Sequence, residues 1–380
     1  MSEPHFHWFL PTTYDSRDVM PSGSNYRAPD IGYLADVARA AERNGFESLL
    51  APTGHQCEDA WLVTAALTTL TDRIKFLIAF RPGNLLPTLA AQMAASFQKL
   101  SNNRLAINIV TGGNDTDQRA YGDFLDKDSR YARTNEFLQV LKLCWDGKGK
   151  SYDGAFYKFE NGGNDTPLEH RPKIFFGGAS HAAQAVAARH VDVQLMFGEP
   201  PAMAGERIGA MRERARAAGR EIEFGIRIHV VTRDTEDAAW REAERLLYNM
   251  DFDFVRKQQG RIEKSQAVGQ QRIIDAKKNL KIDIDAMESG RFDVRSLQLH
   301  PNIWAGTGLL RGGGGSTALV GSHAQIAERI REYQSVGIDH FILSGYPKIE
   351  ESYWFGENVM PLFRSREVNR PLASVAGQSI

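Results

Sequence analysis

The stretch Ile74–Val110, IKFLIAFRPGNLLPTLAAQMAASFQKLSNNRLAINIV, contains one complete strand–helix–strand unit. Its two apolar runs, Ile74–Phe80 and Leu105–Val110, have the length and composition of buried strands. Between them, Thr88–Leu100 places apolar residues at helical spacing. Because two parallel strands need a crossover of about this length, the unit predicts a parallel sheet.

The same alternation of short apolar runs and amphipathic stretches extends along the whole chain. It predicts eight strands, at His7–Leu10, Ser48–Ala51, Ile74–Phe80, Leu105–Val110, Ile174–Phe176, Val193–Phe197, Glu223–Val231 and His340–Ser344. The clearest helical patterns are Gly32–Asn44, Glu58–Leu70, Thr88–Leu100 and Tyr131–Trp145. About eight strand–helix units favour closure into a barrel over an open sheet. We therefore expect residues 1–380 to form a single α/β domain, a (β/α)8 TIM barrel.

Residues 251–301 do not fit this repeat. The segment is polar and rich in Lys, Arg, Gln and Asp, with a helical pattern near Gln270–Asn279. An insertion of this length inside a compact barrel is uncommon and is usually functional. The pattern alone supports two interpretations equally: a solvated excursion on the outside of the barrel, for example at a subunit contact, or a lid over its mouth.

The composition is that of a soluble globular protein. Basic and acidic residues number 46 and 47, which predicts no affinity for nucleic acid or a membrane surface. No apolar run approaches the about 20 residues of a membrane-spanning helix, and no signal peptide is recognisable. The two cysteines, Cys57 and Cys144, have no metal-binding spacing. They favour a reducing cytoplasm without disulfides or structural zinc.

Active groups of a parallel barrel lie where strands end and loops begin. This rule selects residues that follow five of the predicted strands. They are Thr53, Gly54, His55 and Cys57; Phe80 and Arg81; Asn108, Thr111, Gly112 and Gly113; Gly177, Gly178 and Ser180; and Tyr346. The histidines show neither HxH nor HExxH spacing, so we predict no metal site.

The seventh predicted strand carries the most informative local pattern. Within FGIRIHV, Arg227 and His229 alternate, so both side chains point to one face together with Gly225. A buried guanidinium beside an imidazole is costly unless an anion or a hydrogen-bonding group meets it. The alternative is a barrel-core arginine neutralised by an internal carboxylate. We favour a fixed cation for an anionic substrate, with a titratable neighbour for proton transfer.

Two glycine-rich segments and one cysteine carry weaker signals. FFGGAS, residues 175–180, offers N–H groups and a hydroxyl to a phosphate oxygen, although a tight turn explains it equally well. The glycines of RGGGGS, residues 311–316, would let Arg311 swing over a ligand, but a flexible loop with a solvated arginine is the simpler interpretation. Cys57 precedes two carboxylates, so we expect a ligand-lining or spectator thiol rather than a nucleophile.

Nine motifs are spread in order over nearly the whole chain. They are WFLPT (Trp8–Thr12), PTG…CEDAWLV (Pro52–Val63), NIVTG (Asn108–Gly112), FGGAS (Phe176–Ser180), GEPP (Gly198–Pro201), FGIRIHV (Phe224–Val230), PNIWAG (Pro301–Gly306), RGGGGSTALVG (Arg311–Gly321) and LSGYP (Leu343–Pro347). In this combination the chain resembles the flavin-dependent alkanesulfonate monooxygenases of the bacterial luciferase-like superfamily. The resemblance implies a TIM barrel that takes up reduced FMN from an NAD(P)H:flavin reductase. With O2 it would oxidise a small anionic organosulfonate and release sulfite and an aldehyde.

The resemblance also implies roles for individual residues. It implies an active-site set of His229, Arg227, Tyr346 and Arg311, with Cys57 at the position of a cysteine that is not a covalent nucleophile. It further implies flavin contacts from Asn108, Arg130, Tyr131 and Ser180, the last two at the phosphate. Thr111 and Gly178, at neighbouring strand ends, complete the predicted cofactor-binding set. The family's habits favour a mobile lid at 251–301 and a homodimer or homotetramer.

Two positions depart from the family pattern. Phe197 stands before GEPP, where a tryptophan is common, and the loop Thr12–Asp15 lacks the histidine that is usual there. Loss of the indole removes a hydrogen-bond donor and enlarges the pocket. The identity of the sulfonate, a sulfosugar included, therefore stays open. Two alternatives remain: the same flavin barrel acting on a sulfone or a heterocycle, and a non-catalytic flavin-binding barrel, which the intact active-site set disfavours.

Overall fold

Eight parallel strands close into a barrel in the computed structural model, which describes residues 2–20, 25–112, 115–248, 250–263, 267–280, 282–310, 312 and 315–364. The strands are β1 His5–Phe9, β2 Ser48–Ala51, β3 Lys75–Phe80, β4 Leu105–Ile109, β5 Ile174–Gly177, β6 Val193–Phe197, β7 Glu223–Arg233 and β8 His340–Ser344. Each strand pairs in parallel with the next in the chain, and β8 pairs with β1. This closed ring confirms the predicted TIM barrel.

Thirteen α-helices are present in the described part of the chain. They are α1 Ile31–Asn44, α2 Ala60–Leu67, α3 Pro87–Ser101, α4 Asp115–Ala120, α5 Lys127–Trp145, α6 His181–His190, α7 Pro201–Ala217, α8 Glu236–Tyr248, α9 Phe252–Glu263, α10 Val268–Lys277, α11 Ile284–Glu288, α12 His323–Ser335 and α13 Lys348–Asn358. None of the helices in the described residues is long and apolar enough to span a membrane.

The eight predicted strands are all confirmed, with bounds that differ by at most two residues. The predicted helix ends were less accurate. Helix α2 is shorter than the predicted Glu58–Leu70, because Asp59 caps it by accepting hydrogen bonds from the amides of Trp61 and Leu62. Helix α5 begins one turn before Tyr131, because Asp126 caps it in the same way.

The sequence pattern missed several short strands outside the barrel ring. Strand β7 continues beyond the ring to Arg233, where it pairs in parallel with Ala318–Ser322. Gln298–His300 and Ile303–Trp304 extend this edge in the antiparallel sense. Two further antiparallel pairs lie elsewhere, Asp15–Ser16 with Tyr26–Arg27 and Lys150–Asp153 with Lys158–Gly162. Their strands are too short, or too polar, for an apolar run to reveal them.

Apolar side chains pack on both faces of the barrel strands. A large cluster lies between the strands and the surrounding helices, with fully buried residues such as Trp8, Phe76 and Phe341. A smaller cluster fills the inside of the barrel. Its buried members are Leu50, Leu77, Ala79, Ala106, Phe175, Val193, Leu195 and Ile342. Alternate residues of each strand thus face the barrel axis, as the pleat requires.

The amino-terminal end of the barrel interior is polar. The Nε2 atom of His7 lies 3.0 Å from Nδ1 of His340, and its Nδ1 atom lies 2.8 Å from the hydroxyl of Ser48. On the far side, Nε2 of His340 lies 3.0 Å from a carboxylate oxygen of Glu223. Burial lowers the pKa of His7 to about 3 and also lowers the pKa of His340.

We expect the free energy of unfolding to fall as the pH drops below about 6.5. His7 is neutral in the native state, whereas in the unfolded chain it takes up a proton near its ordinary pKa of 6.5. Between pH 7 and pH 5 this linkage costs about 2 kcal/mol, and the loss continues until the pH nears the native pKa. Denaturant unfolding at the two pH values measures the difference, which should shrink in His7→Gln.

His5 provides a control, because its protonation has the opposite effect on the free energy of unfolding. Its hydrogen bond to Glu47 raises the pKa of His5, so its protonation stabilises the native state at low pH. His5→Gln should therefore deepen the acid loss. An unchanged pH 7 to pH 5 difference in His7→Gln would show that His7 is not its source.

The segment predicted as an insertion lies in the connection from β7 to β8. Residues 251–301 contain α9, α10 and α11, and the helical pattern near Gln270–Asn279 corresponds to α10. The segment has its own buried side chains, including Val255, Ile273, Met287 and Leu297. Several of them join a second apolar cluster with Trp240 of α8. The described part of this segment is therefore packed against the barrel through its own apolar side chains.

Candidate active site

A cavity of about 630 Å³ opens at the carboxyl ends of the barrel strands. Its size lies within the range of about 300–1,000 Å³ that is typical of small-molecule and cofactor sites. The wall is formed by the ends of β1, β4, β5, β6, β7 and β8 and the loops that follow them. The insertion contributes Ala267, Val268 and Gly269. The insertion therefore forms part of the wall of this cavity.

Eight of the eleven predicted site residues line this cavity. They are Arg227, His229, Tyr346, Asn108, Thr111, Tyr131, Gly178 and Ser180. Phe197 and the loop residues Thr13 and Tyr14, where the sequence departs from the family pattern, line it as well. Arg311 lies outside the described residues. Cys57 and Arg130 are adjacent to the cavity but not part of its lining.

Cys57 and Arg130 contact residues that lie next to the cavity. The Sγ atom of Cys57 lies 3.3 Å from the hydroxyl of Thr13, which does line the cavity. Arg130 is 2% exposed, and its guanidinium donates to the carbonyl of Leu125 at 2.6 Å and to Asp115 at 2.7 Å. These contacts tie α4 to the start of α5. The flavin contact of Arg130 stays a prediction.

A hydroxyl joins Arg227 and His229, the two predicted site residues of β7. Nη2 of Arg227 donates to Oγ of Ser344 at 2.7 Å, while Nη1 donates to the carbonyls of Ile228 and Ile342 at 3.0 and 3.3 Å. The same Oγ atom lies 2.6 Å from Nδ1 of His229. Because a guanidinium can only donate, Ser344 accepts from Arg227, and its own hydrogen is available to Nδ1.

Tyr346 connects this network to the amino-terminal loop. Its ring centre lies 5.2 Å from that of His229, and the ammonium of Lys348 lies 4.0 Å from the Tyr346 ring centre. Lys348 is buried and pairs with the fully buried carboxylate of Asp15 at 3.2 Å. The backbone amide of Lys348 and the hydroxyl of Tyr33 also donate to Asp15. Asp15 therefore anchors the loop that presents Thr13 and Tyr14 to the cavity.

A cradle for an anion lies at the end of β5, which β6 separates from β7. Helix α6 begins there, with Ser180 as its N-cap accepting a hydrogen bond from the amide of Ala183. Tyr131 lines the same part of the cavity as Ser180, and burial raises the pKa of this tyrosine. A Cβ atom at Gly177 would meet no atom within 4 Å. The amino-terminal end of a helix favours negative charge, so these residues fit a phosphate group.

The cavity wall is cationic. Four positively charged side chains line it, namely Lys127, Arg207, Arg227 and Lys348, and no Asp or Glu occurs among the described lining residues. Such a surface concentrates anionic ligands. In the same wall the buried side-chain oxygen of Asn108 has no hydrogen-bond partner among the described residues. A ligand donor is therefore expected at this point.

Sequence reasoning missed Ser344, Lys127 and Arg207. Ser344 is aligned with His229 in the pairing of β7 and β8, and it directly precedes the GYP motif, so strand alignment could have found it. Lys127 was missed because α5 begins earlier than predicted. Arg207 lies within a helix, and no sequence signal distinguishes it from neighbouring surface arginines.

Within the described residues, no group of three or more His, Cys, Asp or Glu could hold a metal ion. The family profile described as luciferase-like monooxygenase matches residues 4–340. Several solved structures share the fold over nearly their whole length. One is a riboflavin lyase, RcaE, solved with modified FMN and its substrate riboflavin; it has a TM-score of 0.76 and 19% identity, covering 96% of this chain and 92% of that chain.

Two further structures show how widely this fold is used. The EDTA monooxygenase EmoA from Chelativorans sp. BNC1 has a TM-score of 0.72 and 18% identity, covering 96% of this chain and 94% of that chain. The coenzyme F420-dependent tetrahydromethanopterin reductase from Methanopyrus kandleri has a TM-score of 0.66 and 16% identity, covering 96% and 100%. At these identities the similarity establishes the fold and leaves the substrate open.

Proposed function

The chain belongs to the luciferase-like monooxygenase family, and on this premise we propose that it is a reduced-FMN- and O2-dependent monooxygenase that desulfonates an organosulfonate. Sulfite and an aldehyde are the products. The observation that carries the proposal is the network on one wall of the cavity, in which Ser344 joins Arg227 to His229. A fixed cation beside a proton-transferring group is what an anionic substrate requires.

The cradle at the start of α6 supports FMN as the cofactor. The phosphate of FMN fits the amino-terminal end of this helix, beside the hydroxyls of Tyr131 and Ser180 and the cation of Lys127. When bound, reduced FMN supplies the electrons and O2 the inserted oxygen atom. A separate NAD(P)H:flavin reductase supplies the reduced FMN. F420, used by one solved structure of the same fold, is the competing cofactor.

Three side chains of this protein bind the substrate and transfer protons. Arg227 holds the sulfonate through charge-assisted hydrogen bonds. His229, whose Nδ1 atom contacts Ser344, is the titratable group for proton transfer. Tyr346, whose ring packs on that of His229, supplies a phenol that exchanges a proton with the substrate.

Part of the insertion also lines the site. Ala267, Val268 and Gly269 place small or apolar groups over the cavity, which excludes water from the reaction. Gly312, which follows Arg311 in the chain, also lines the cavity. This neighbour supports the proposal that Arg311 joins Arg227 at the substrate.

The test is sulfite release from a panel of alkyl and sugar sulfonates, with FMN, NADH and a flavin reductase. We expect sulfite in amounts that match the substrate consumed, and no release when FMN is replaced by reduced F420. Absence of sulfite from every sulfonate would refute the proposal. Oxygen consumption with a sulfone or heterocycle would then identify another oxidation, and flavin binding without any turnover would indicate a non-catalytic barrel.

A further inference from the structure

Two arginines share one buried carboxylate at the rim of the cavity. Nη1 of Arg207 lies 2.6 Å from one oxygen of Glu199, and Nε of Arg272 lies 2.6 Å from the other. The side chain of Glu199 is 1% exposed, and those of Arg207 and Arg272 are 13% and 26% exposed. Within the described residues neither arginine pairs with another carboxylate. The cluster of three therefore carries a net positive charge in a mostly buried place.

This arginine pair joins three parts of the fold. Glu199 follows the end of β6, Arg207 lies on α7, and Arg272 lies on α10 of the insertion. Arg272 also donates to the carbonyl of Met203 on α7 at 2.9 Å. Of the two arginines, Arg207 lines the cavity. The excess charge of the cluster thus faces the space where a ligand would lie.

Glu199, which holds the arginine pair, lies closer to the mouth of the barrel than Arg227 does. Phe197 is aligned with Arg227 in the pairing of β6 and β7, and Glu199 is two residues beyond Phe197. The Phe197 ring meets α10, since a Cβ atom at Gly269 would lie 3.0 Å from it. A substrate whose head binds Arg227 therefore extends past Phe197 toward Arg207.

Glu199 holds the Arg207 guanidinium in place and uses only part of its N–H donors. Within the described residues, the only hydrogen bond that this guanidinium donates is the one from Nη1 to Glu199. A guanidinium has five N–H donors, so most of them remain for a ligand. The other lining cations are assigned to other partners. Lys348 pairs with Asp15, and we assign Lys127 to the phosphate cradle. A buried positive charge of this kind is costly unless an anion meets it.

We propose that the substrate carries a second anionic group, remote from its sulfonate, and that Arg207 binds this group. The inference rests on the proposed function, which provides the sulfonate at Arg227. It narrows the substrate class to organosulfonates with a further carboxylate or phosphate. Arg207 is then the residue that selects them, and Glu199 holds its guanidinium in position.

The test compares ω-carboxyalkane-1-sulfonates of three to six carbons with the alkane-1-sulfonates of the same length. We expect the best carboxylated substrate to exceed its partner about tenfold in kcat/KM, the effect of one charge-assisted hydrogen bond. Arg207→Gln should abolish this ratio, and Arg207→Lys, which keeps the charge, should retain most of it. Arg214→Gln, an exposed arginine on the same helix, is the matched control and should leave the ratio unchanged.

Two results would overturn the inference. One is a parent enzyme that prefers none of the carboxylated substrates. The other is an Arg207→Gln variant that lowers both members of each pair equally, which would make Arg207 a structural partner of Glu199. If no sulfonate releases sulfite, the proposed function has failed instead. Calorimetric binding of the same pairs to the parent and to Arg207→Gln still tests the role of Arg207. Tighter binding of the carboxylated member by the parent, lost in Arg207→Gln, would support that role. Equal affinity of the parent for both members of each pair would refute it.

Discussion

Arg227→Ala is expected to lower kcat/KM for the preferred sulfonate by about 100- to 1,000-fold. The guanidinium is fixed by Ser344 and two backbone carbonyls, so it is preorganised before the substrate arrives. In a cavity that excludes water, its charge-assisted hydrogen bonds to an oxyanion are stronger than they would be in solvent. Sulfite release under saturating reduced FMN measures the loss.

Binding of FMN should change by less than about threefold in the same variant, about 0.7 kcal/mol. Arg227 lies on β7, whereas the phosphate cradle is built from β5, α5 and α6. Fluorescence titration with FMN provides this measurement. If FMN affinity and turnover fall by the same factor, Arg227 is a flavin ligand and its assignment to the sulfonate is wrong.

Arg227→Lys separates charge from geometry. A lysine keeps the cation but cannot donate to Ser344, the carbonyls and the substrate at once. We therefore expect an intermediate kcat/KM for Arg227→Lys, with thermal melting near that of the parent. A lysine variant as active as the parent would show that charge alone is sufficient at this position.

The barrel could be predicted because its strands are buried on both faces. Such strands appear in sequence as short continuous apolar runs, and all eight were found in this way. The same periodicity gave the direction of Arg227 and His229, since alternate residues of a strand face the same side. Both residues line the cavity, as this alternation requires.

Other parts of the site depend on contacts that no periodicity encodes. Ser344 gains its role only when β7 and β8 are aligned, 115 residues apart in the chain. Arg207 is one of several arginines on α7, and only the packing of Glu199 and Arg272 distinguishes it. The position of 267–269 over the mouth likewise follows from how the insertion packs on the barrel, which is a tertiary property.

Gly178→Ala is expected to weaken FMN binding by about 10- to 100-fold, or about 1.4 to 2.8 kcal/mol. A Cβ atom at this position would lie 2.6 Å from the Cβ atom of Ala183. Both atoms are attached directly to backbone, so the first turn of α6 must move away from β5. That turn carries Ser180, which forms the phosphate cradle together with Tyr131. FMN titration and thermal melting of the variant measure the two effects.

Gly177 provides the matched control on the neighbouring residue. A Cβ atom there meets no protein atom within 4 Å, so Gly177→Ala should melt at the temperature of the parent. It nevertheless adds a methyl group to the cavity wall. Weaker FMN binding in Gly177→Ala without a change in melting would therefore place the ligand itself against this glycine.

A second substitution tests whether the shape of the cradle carries the effect. Ala183→Gly removes the methyl group that the Gly178→Ala side chain would strike, at a helix cost of about 1 kcal/mol. The double variant should recover part of the lost FMN affinity, because the first turn of α6 can return to its place. The positive φ of residue 178, which an alanine rarely adopts, keeps the recovery incomplete. Recovery would show that binding depends on the position of this turn. If both glycine variants instead bind FMN as the parent does, the phosphate lies elsewhere, and the assignment of Gly178, Ser180 and Tyr131 to the flavin is wrong.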